Sequence, residues 1–199
     1  MADETRPSVL GILGSPRARS NTGVLLARLL AGAEAAGARV EAVQLRLLDG
    51  RSCRHCGGCD RTGLCVVRDD MGEVIGKIRA AQHLVLASPI HFSGVSGEMK
   101  MMIDRGQALW VERYRLKRAA PAGRRGVYLA TCGGSDRRVF EWAKHTVLAF
   151  LNSAGFEYWG ELFEANTDRP PPIGERAEVL ARAERLGREL IENHQEEER

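Results

Sequence analysis

Five short apolar runs alternate with segments of helical period along this chain. They are SVLGIL (8–13), VEAVQL (40–45), HLVLASP (83–89), GVYLATC (126–132) and FEYWGELF (156–163). Runs this short suit strands buried in a parallel sheet, where helices cover both faces. Between them, Leu26, Leu29, Leu30 and Ala33 share one face of a helix predicted over 21–36. Met71, Val74, Ile75 and Ile78 recur at i, i+3, i+4 and i+7, after Asp69 and Asp70, which read as capping acids. Met99, Met102 and Ile103 mark a helix from Ser96 to about Leu109, and residues 137–152 form another. Pro170 to Pro172 break the chain before a last helix over 175–192, striped by Val179, Ala183, Leu186 and Leu190. This alternation predicts an α/β fold with a doubly wound, five-stranded parallel sheet. The final HQEEER reads as a frayed, solvated end.

The chain has 199 residues, without internal repeat or long linker, which predicts one domain over 1–199 with a cysteine-rich loop at 50–70. At 44% hydrophobic and 28% charged residues it is globular. A formal net charge of +3 is too small to point to nucleic acid. No apolar stretch reaches the roughly 18 residues of a membrane span. The start, MADETRPSVLGIL, lacks the basic segment and long apolar run of a secretion signal. The expectation is a cytoplasmic protein, with no nucleic-acid or membrane partner.

Four of the five cysteines fall in CRHCGGCDRTGLC, residues 53–65, spaced C-x2-C-x2-C-x5-C. In a reducing compartment such thiols are ligands or redox groups rather than structural disulfides. Zinc suits four thiolates, although structural zinc sites usually pair two knuckles across a longer spacer. A C-x2-C dithiol leaves two cysteines unexplained. A [4Fe–4S] cube needs four thiolates, and Gly57 and Gly58 supply the positive φ angles that wrapping three of its corners demands. His55, inside the motif, reads as a solvated loop residue.

The first strand leads into GSPRARSNTG, residues 14–23. Ser15, Ser20, Asn21 and Thr22 offer polar groups where a helix begins, and Arg17 adds charge. The free N–H groups and dipole of such a helix start favour an anion. A bland alternative is that these residues only cap the helix. Neither the Walker pattern nor the dinucleotide fingerprint is present.

GSPRARSNT resembles the phosphate loop of the flavodoxin-like NADPH-dependent FMN reductases, G-S-x-R-x-x-S/G-N-T. SPIHFSGVSGEMKMMIDR (88–105) is similar to the next family segment: Pro89, Ser96 and Lys100 match, and His91 stands where tyrosine is usual. ATCGGSD (130–136) occupies the third loop that approaches the flavin in such folds. The resemblance implies strand order 2-1-3-4-5 and FMN bound beyond the carboxyl ends of the strands. Ser15, Arg17, Ser20, Asn21 and Thr22 would hold the phosphate. Pro89, Ile90, His91, Phe92, Gly94 and Val95 would shape the ring pocket. Thr131, Cys132, Gly133, Gly134 and Ser135 would meet the ring from the other side. Cys132 by itself also fits a small buried residue.

A subset of that family, the iron–sulfur flavoproteins, carries C-x2-C-x2-C-x(4–7)-C after strand two. Cys53, Cys56, Cys59 and Cys65 match it, which implies a [4Fe–4S] cluster, with zinc as the alternative metal. The implied function is an oxidoreductase that relays electrons between a small redox protein, such as a ferredoxin, and flavin. The resemblance also implies a homodimer or homotetramer. The other readings are an NAD(P)H-dependent FMN or quinone reductase without a cluster, and a redox- or metal-sensing binding protein. ERYRLKRAAPAGRR (112–125) sets six basic residues against one acid. It reads as a solvated loop, as a dock for an acidic electron-transfer partner, or as a holder of the 2′-phosphate of NADPH. Trp110 and Tyr114 nearby are candidates to cover the flavin or pack against a second copy.

Overall fold

The computed structural model describes residues 6–197. Its elements are β1 (Ser8–Leu13), α1 (Asn21–Ala35), β2 (Arg39–Gln44), α2 (Met71–Ala80), β3 (His83–His91), β4 (Gly94–Val95), α3 (Gly97–Arg105), α4 (Gln107–Trp110), β5 (Arg125–Thr131), α5 (Arg138–Ala154), β6 (Glu157–Glu164) and α6 (Ala177–Glu197). Five strands are parallel in the order β2-β1-β3-β5-β6. This is the expected 2-1-3-4-5 sheet. The difference is β4, a two-residue strand that turns back antiparallel onto Ile90 and His91.

Burial explains the order. β5 is buried along its whole length, and β1 and β3 nearly so, so these three take the centre. β2 and β6 carry charged residues and sit at the edges. Side chains alternate between two cores, as the pleat requires. Leu10, Ile12, Leu84, Leu86 and Tyr128 pack with Met71, Val74, Ile75 and Ile78 of α2, Met99 and Met102 of α3, and Phe140, Val147 and Phe150 of α5. Val9, Leu13, Val85, Val127 and Leu129 pack on the opposite face with Leu25, Leu26 and Leu29 of α1 and Val179, Ala183 and Leu190 of α6. Arg124 joins α2 to α5: its buried guanidinium donates to the carbonyls of Ala81 and Ala154 at 3.0 Å each and stacks 3.7 Å from the Phe156 ring centre. Burial lowers its pKa to about 10.

Three expectations change. The helix expected to stop near Leu109 runs on: it tightens at Gly106, whose N–H meets the carbonyls of both Met102 and Ile103, and then widens into a π-helical turn over Val111–Arg115. Asp69 and Asp70 do not cap α2, because their carboxylates are taken by N–H groups of the preceding loop, those of Arg51 and Asp49. The last helix extends past 192 to Glu197, so the HQEEER segment is helical as far as it is described, and residues 198–199 lie outside the described residues. Among the described residues no helix is long and apolar enough to cross a membrane.

α1 and α6 cross at two glycines. A Cβ on Gly187 would stand 1.9 Å from the Leu29 carbonyl oxygen, and one on Gly32 would stand 2.0 Å from that of Glu184. Alanine favours a helix over glycine by about 1 kcal/mol. Here the clash is with backbone, which no rotamer change relieves, and separating packed elements costs about 1–3 kcal/mol. Gly187→Ala is therefore expected to lower Tm by several degrees in a thermal melt. A raised Tm would show that the crossing opens freely.

Candidate functional site

The strand registers bring the loops after β1, β3, β5 and β6 to one edge. Leu13 lies beside Ala87, Pro89 beside Thr131, and Thr131 beside Glu164. β1 and β3 are neighbours while β2 lies outside, so the edge has a cleft where the connections diverge. Buried Ser96 fixes its floor: the hydroxyl donates to the Gly14 carbonyl and accepts from Met99 N–H, while Ser96 N–H meets Ser88 Oγ at 2.9 Å. This ties the first loop to the third strand and caps α3.

A cavity of about 150 Å³ opens there, and ten residues expected from the sequence line it: Ser15, Arg17, Ser20, Asn21, Thr22, Pro89, Ile90, His91, Thr131 and Gly133. Ser20 caps α1, with Oγ accepting from Gly23 N–H at 3.1 Å. That leaves the first-turn N–H groups of Asn21 and Thr22 without intrahelical partners. The Thr22 hydroxyl is buried and has no hydrogen-bond partner among the described residues. An unpartnered hydroxyl beside free N–H groups and Arg17 fits a phosphate, and so fits the FMN that the family resemblance implies.

Six expected residues stand elsewhere. Phe92 is fully exposed at the tip of the β3–β4 turn, and Gly94 and Val95 form the returning strand. Cys132 belongs to the core, where its thiol donates to the Gly134 carbonyl at 3.2 Å and burial pushes its pKa up. Gly134 and Ser135 do not line the cavity. Sequence reasoning missed Pro16, Thr167 and Asp168, which do. The last two follow β6, another parallel strand whose carboxyl end lies at this edge. Asn21 Nδ2 donates to the Thr167 carbonyl at 3.3 Å, and Thr167 Oγ1 donates to the Cys132 carbonyl at 3.1 Å.

The cysteines form a second site, which shares no lining residue with the first. Cys53, Cys56, Cys59 and Cys65 are all free thiols, and all four line one cavity of about 600 Å³, with Arg54, Arg105, Trp110 and Arg115 among its walls. As they are placed, no three His, Cys, Asp or Glu groups among the described residues make up a metal-holding set. The donor chemistry nevertheless fits an iron–sulfur group: four thiols line one cavity, and Asp60 on its wall is paired with Arg115. Burial first, then the neighbouring Asp60, Cys65 and Cys53, raise the Cys59 pKa above its ordinary value. Positive φ occurs at Gly57 (71°) and at His55 (51°). Gly58, expected to share it, is needed instead for closeness, since a Cβ would stand 2.6 Å from Val66 Cγ2.

Side chains hold this loop, which has no regular structure of its own. Arg105 and Asp69 form an ion pair whose side chains are each 1% exposed, and Arg105 also donates to the carbonyls of Arg51 and Val67. Burial works to raise the Asp69 pKa, but hydrogen bonds from Arg105 and Arg51 prevail and hold the carboxyl below its ordinary value. Arg79 donates to the Gly63 carbonyl and Arg118 to that of Thr62, each at 2.9 Å, and both pair with Glu112. Arg115 pairs with Asp60 at 2.8 Å. The basic run is thus not a uniform solvated loop: Arg115 and Arg118 clamp the cysteine segment, and Arg124 and Arg125 are buried. Trp110 borders the cysteine cavity rather than the first cleft, 5.6 Å from the Tyr114 ring centre.

Residues 7–157 match the family described as NADPH-dependent FMN reductase. An iron–sulfur flavoprotein of Methanocaldococcus jannaschii is 36% identical over 101 residues, 51% of this chain and 52% of its own length. One of Archaeoglobus fulgidus is 38% identical over 96 residues, 48% of this chain and 44% of its own. The chain thus spans about half the length of the curated relatives it matches. Among solved structures, an NAD(P)H:quinone oxidoreductase from Methanothermobacter marburgensis superposes with a TM-score of 0.70 at 20% identity, covering 94% of this chain and 100% of that one. An FMN-dependent NADH-azoreductase from Bacillus anthracis, in complex with FMN, gives 0.66 at 16% identity, covering 94% and 98%. These two share the fold. With the match extending over three quarters of its residues, the chain belongs to the NADPH-dependent FMN reductase family.

Proposed function

We propose that this chain is a flavin-dependent oxidoreductase that binds FMN in the cleft and a [4Fe–4S] cluster on Cys53, Cys56, Cys59 and Cys65, and that it exchanges electrons with a small redox protein. The observation that carries the reading is the gathering of all four thiols around one cavity, apart from a cleft at the start of α1. FMN supplies one- or two-electron chemistry and the cluster one-electron chemistry. In the cleft, Thr22, Ser20 and Arg17 hold and orient the phosphate, while Pro89, Ile90 and His91 border the ring side. In the loop, Arg79, Arg105 and Arg118 keep the thiols in place.

Around the cysteine loop, Leu64 and Val66 are each 56% exposed, beside exposed Arg54, Arg61 and Arg68. Exposed apolar side chains in a segment that also exposes three arginines suit an acidic partner such as a ferredoxin. Exposed Phe92 and Trp142 suit contact with a second copy in a homodimer or homotetramer. Free thiols accord with a cytoplasmic setting.

The second reading is an NAD(P)H-dependent FMN or quinone reductase whose cysteines hold zinc or nothing. In favour of its metal-free form, the thiols as placed do not make up a metal-holding set. Iron, sulfide, zinc and flavin analysis after anaerobic purification separates the two. The expected result is about four iron and four sulfide per FMN. Zinc without iron would decide for the second reading.

A further inference from the structure

Three arginines border the cysteine cavity: Arg54, Arg105 and Arg115. Arg54 and Arg115 are exposed, and water and salt screen their charge. Arg105 is 1% exposed, where its field is least screened. Its partner Asp69 does not line the cavity, so the buried pair turns its positive end toward the thiols. Two terminal nitrogens of the guanidinium are used by Arg51, Val67 and Asp69. Nε, also buried, has no hydrogen-bond partner among the described residues. A buried cation with an unspent N–H, against a wall of thiols, is a feature that the four ligands alone do not explain.

We propose that Arg105 is a positioning residue and counter-charge for the group held by the four cysteines, closing the loop that carries them and raising that group's reduction potential. The inference rests on the cluster reading above. Reduction adds one electron, and so one negative charge, to a cysteine-bound group that is already anionic. No bond to protein forms or breaks, and no proton moves. A fixed positive charge and an N–H donor in the wall stabilise the reduced form more than the oxidised one, since net charge and hydrogen bonds to sulfur set the potentials of such clusters.

Asp69 provides the decisive comparison, because it shares the loop-closing contacts of Arg105 but carries the opposite charge. The experiment is a potentiometric titration of the cluster, followed by electron paramagnetic resonance, on wild type, Arg105→Gln and Asp69→Asn, with iron and FMN content measured on each sample. Arg105→Gln is expected to make the cluster about tenfold harder to reduce, a fall of about 59 mV for a one-electron couple. Asp69→Asn is expected to shift the potential upward. A role confined to closing the loop moves both variants in the same direction or moves neither, and either result overturns the proposal. If Arg105→Gln loses its iron, Asp69→Asn still decides: an upward shift supports the counter-charge, and a downward shift or none sinks it. Wild type without iron would bring down the cluster reading itself and this inference with it, whereas a wild-type cluster indifferent to Asp69→Asn overturns the inference alone.

Discussion

Replacing Cys59 by serine is expected to yield a folded flavoprotein without iron or sulfide. The cysteine loop lies between β2 and α2 and adds no strand to the sheet. Arginine and aspartate side chains hold it to the body, and those contacts do not involve Cys59. None of the cleft residues borders the cysteine cavity. Serine offers a hard, protonated oxygen in place of a soft thiolate, a poor exchange on an iron–sulfur group. Iron and sulfide should therefore fall from about four each per chain to near zero, while FMN stays at wild-type content. Reduction of the flavin by a one-electron protein donor should fall sharply, and any direct reduction by NAD(P)H should survive. Colorimetric iron and sulfide, flavin absorbance and anaerobic stopped-flow with both donors make the measurement. Iron retained at the wild-type level would remove Cys59 from the ligand set, and loss of FMN along with the iron would show the two sites to be coupled.

The second large effect concerns the phosphate. FMN is expected to bind far more tightly than riboflavin, and Thr22→Val is expected to erase part of that difference. The Thr22 hydroxyl is buried and unpartnered, which costs about 1–3 kcal/mol relative to a satisfied group. Valine keeps the shape and removes the orphan atom, so the ligand-free protein should melt at the same temperature or higher. A lost hydrogen bond to a charged phosphate is worth about 1.5–3 kcal/mol, roughly ten- to 150-fold in Kd. Stability held while affinity falls is the signature of a hydroxyl kept for a ligand. Isothermal titration of FMN and riboflavin into both proteins, with melts of the flavin-free forms, provides the measurement. Equal affinity for the two flavins in wild type would place the phosphate elsewhere.

The sheet was legible because its central strands are apolar runs with little polar interruption, and its order followed once the loop motifs were read together. The cleft was legible where its residues are contiguous, as in Ser15 to Thr22. It was not legible at Thr167 and Asp168, which join it through a contact between Asn21 and Thr167, 146 positions apart. Pairing at that distance leaves no period in a sequence. The same holds for Arg105, which reads as one more helical residue until Asp69 meets it across 36 positions. Asp69 and Asp70 misled for a related reason: acids before a helix usually serve its first turn, but here the neighbouring loop offers them unpaired N–H groups. Arg115 and Arg118 looked like free charge because Asp60 and Thr62, their partners, lie in the cysteine segment.

The two apolar cores also have different histories during synthesis. The core on the α2, α3 and α5 face draws its last member from Ala165. The core on the α1 face needs Val179, Ala183, Leu190 and Ile191, all from α6. A chain emerging from the ribosome therefore has one side of the sheet finished while the other still lacks α6. Leu29, Ala33 and Leu162 await their partners until α6 emerges. Greasy surface held open in this way is what chaperones bind and what drives aggregation. Translation that stops between Ala165 and Ala177 would leave a polypeptide containing every cysteine and every cleft-forming strand, yet with the α1 side of its sheet uncovered by α6. α6, which lends the cleft no lining residue, thus decides whether a newborn molecule closes its second core.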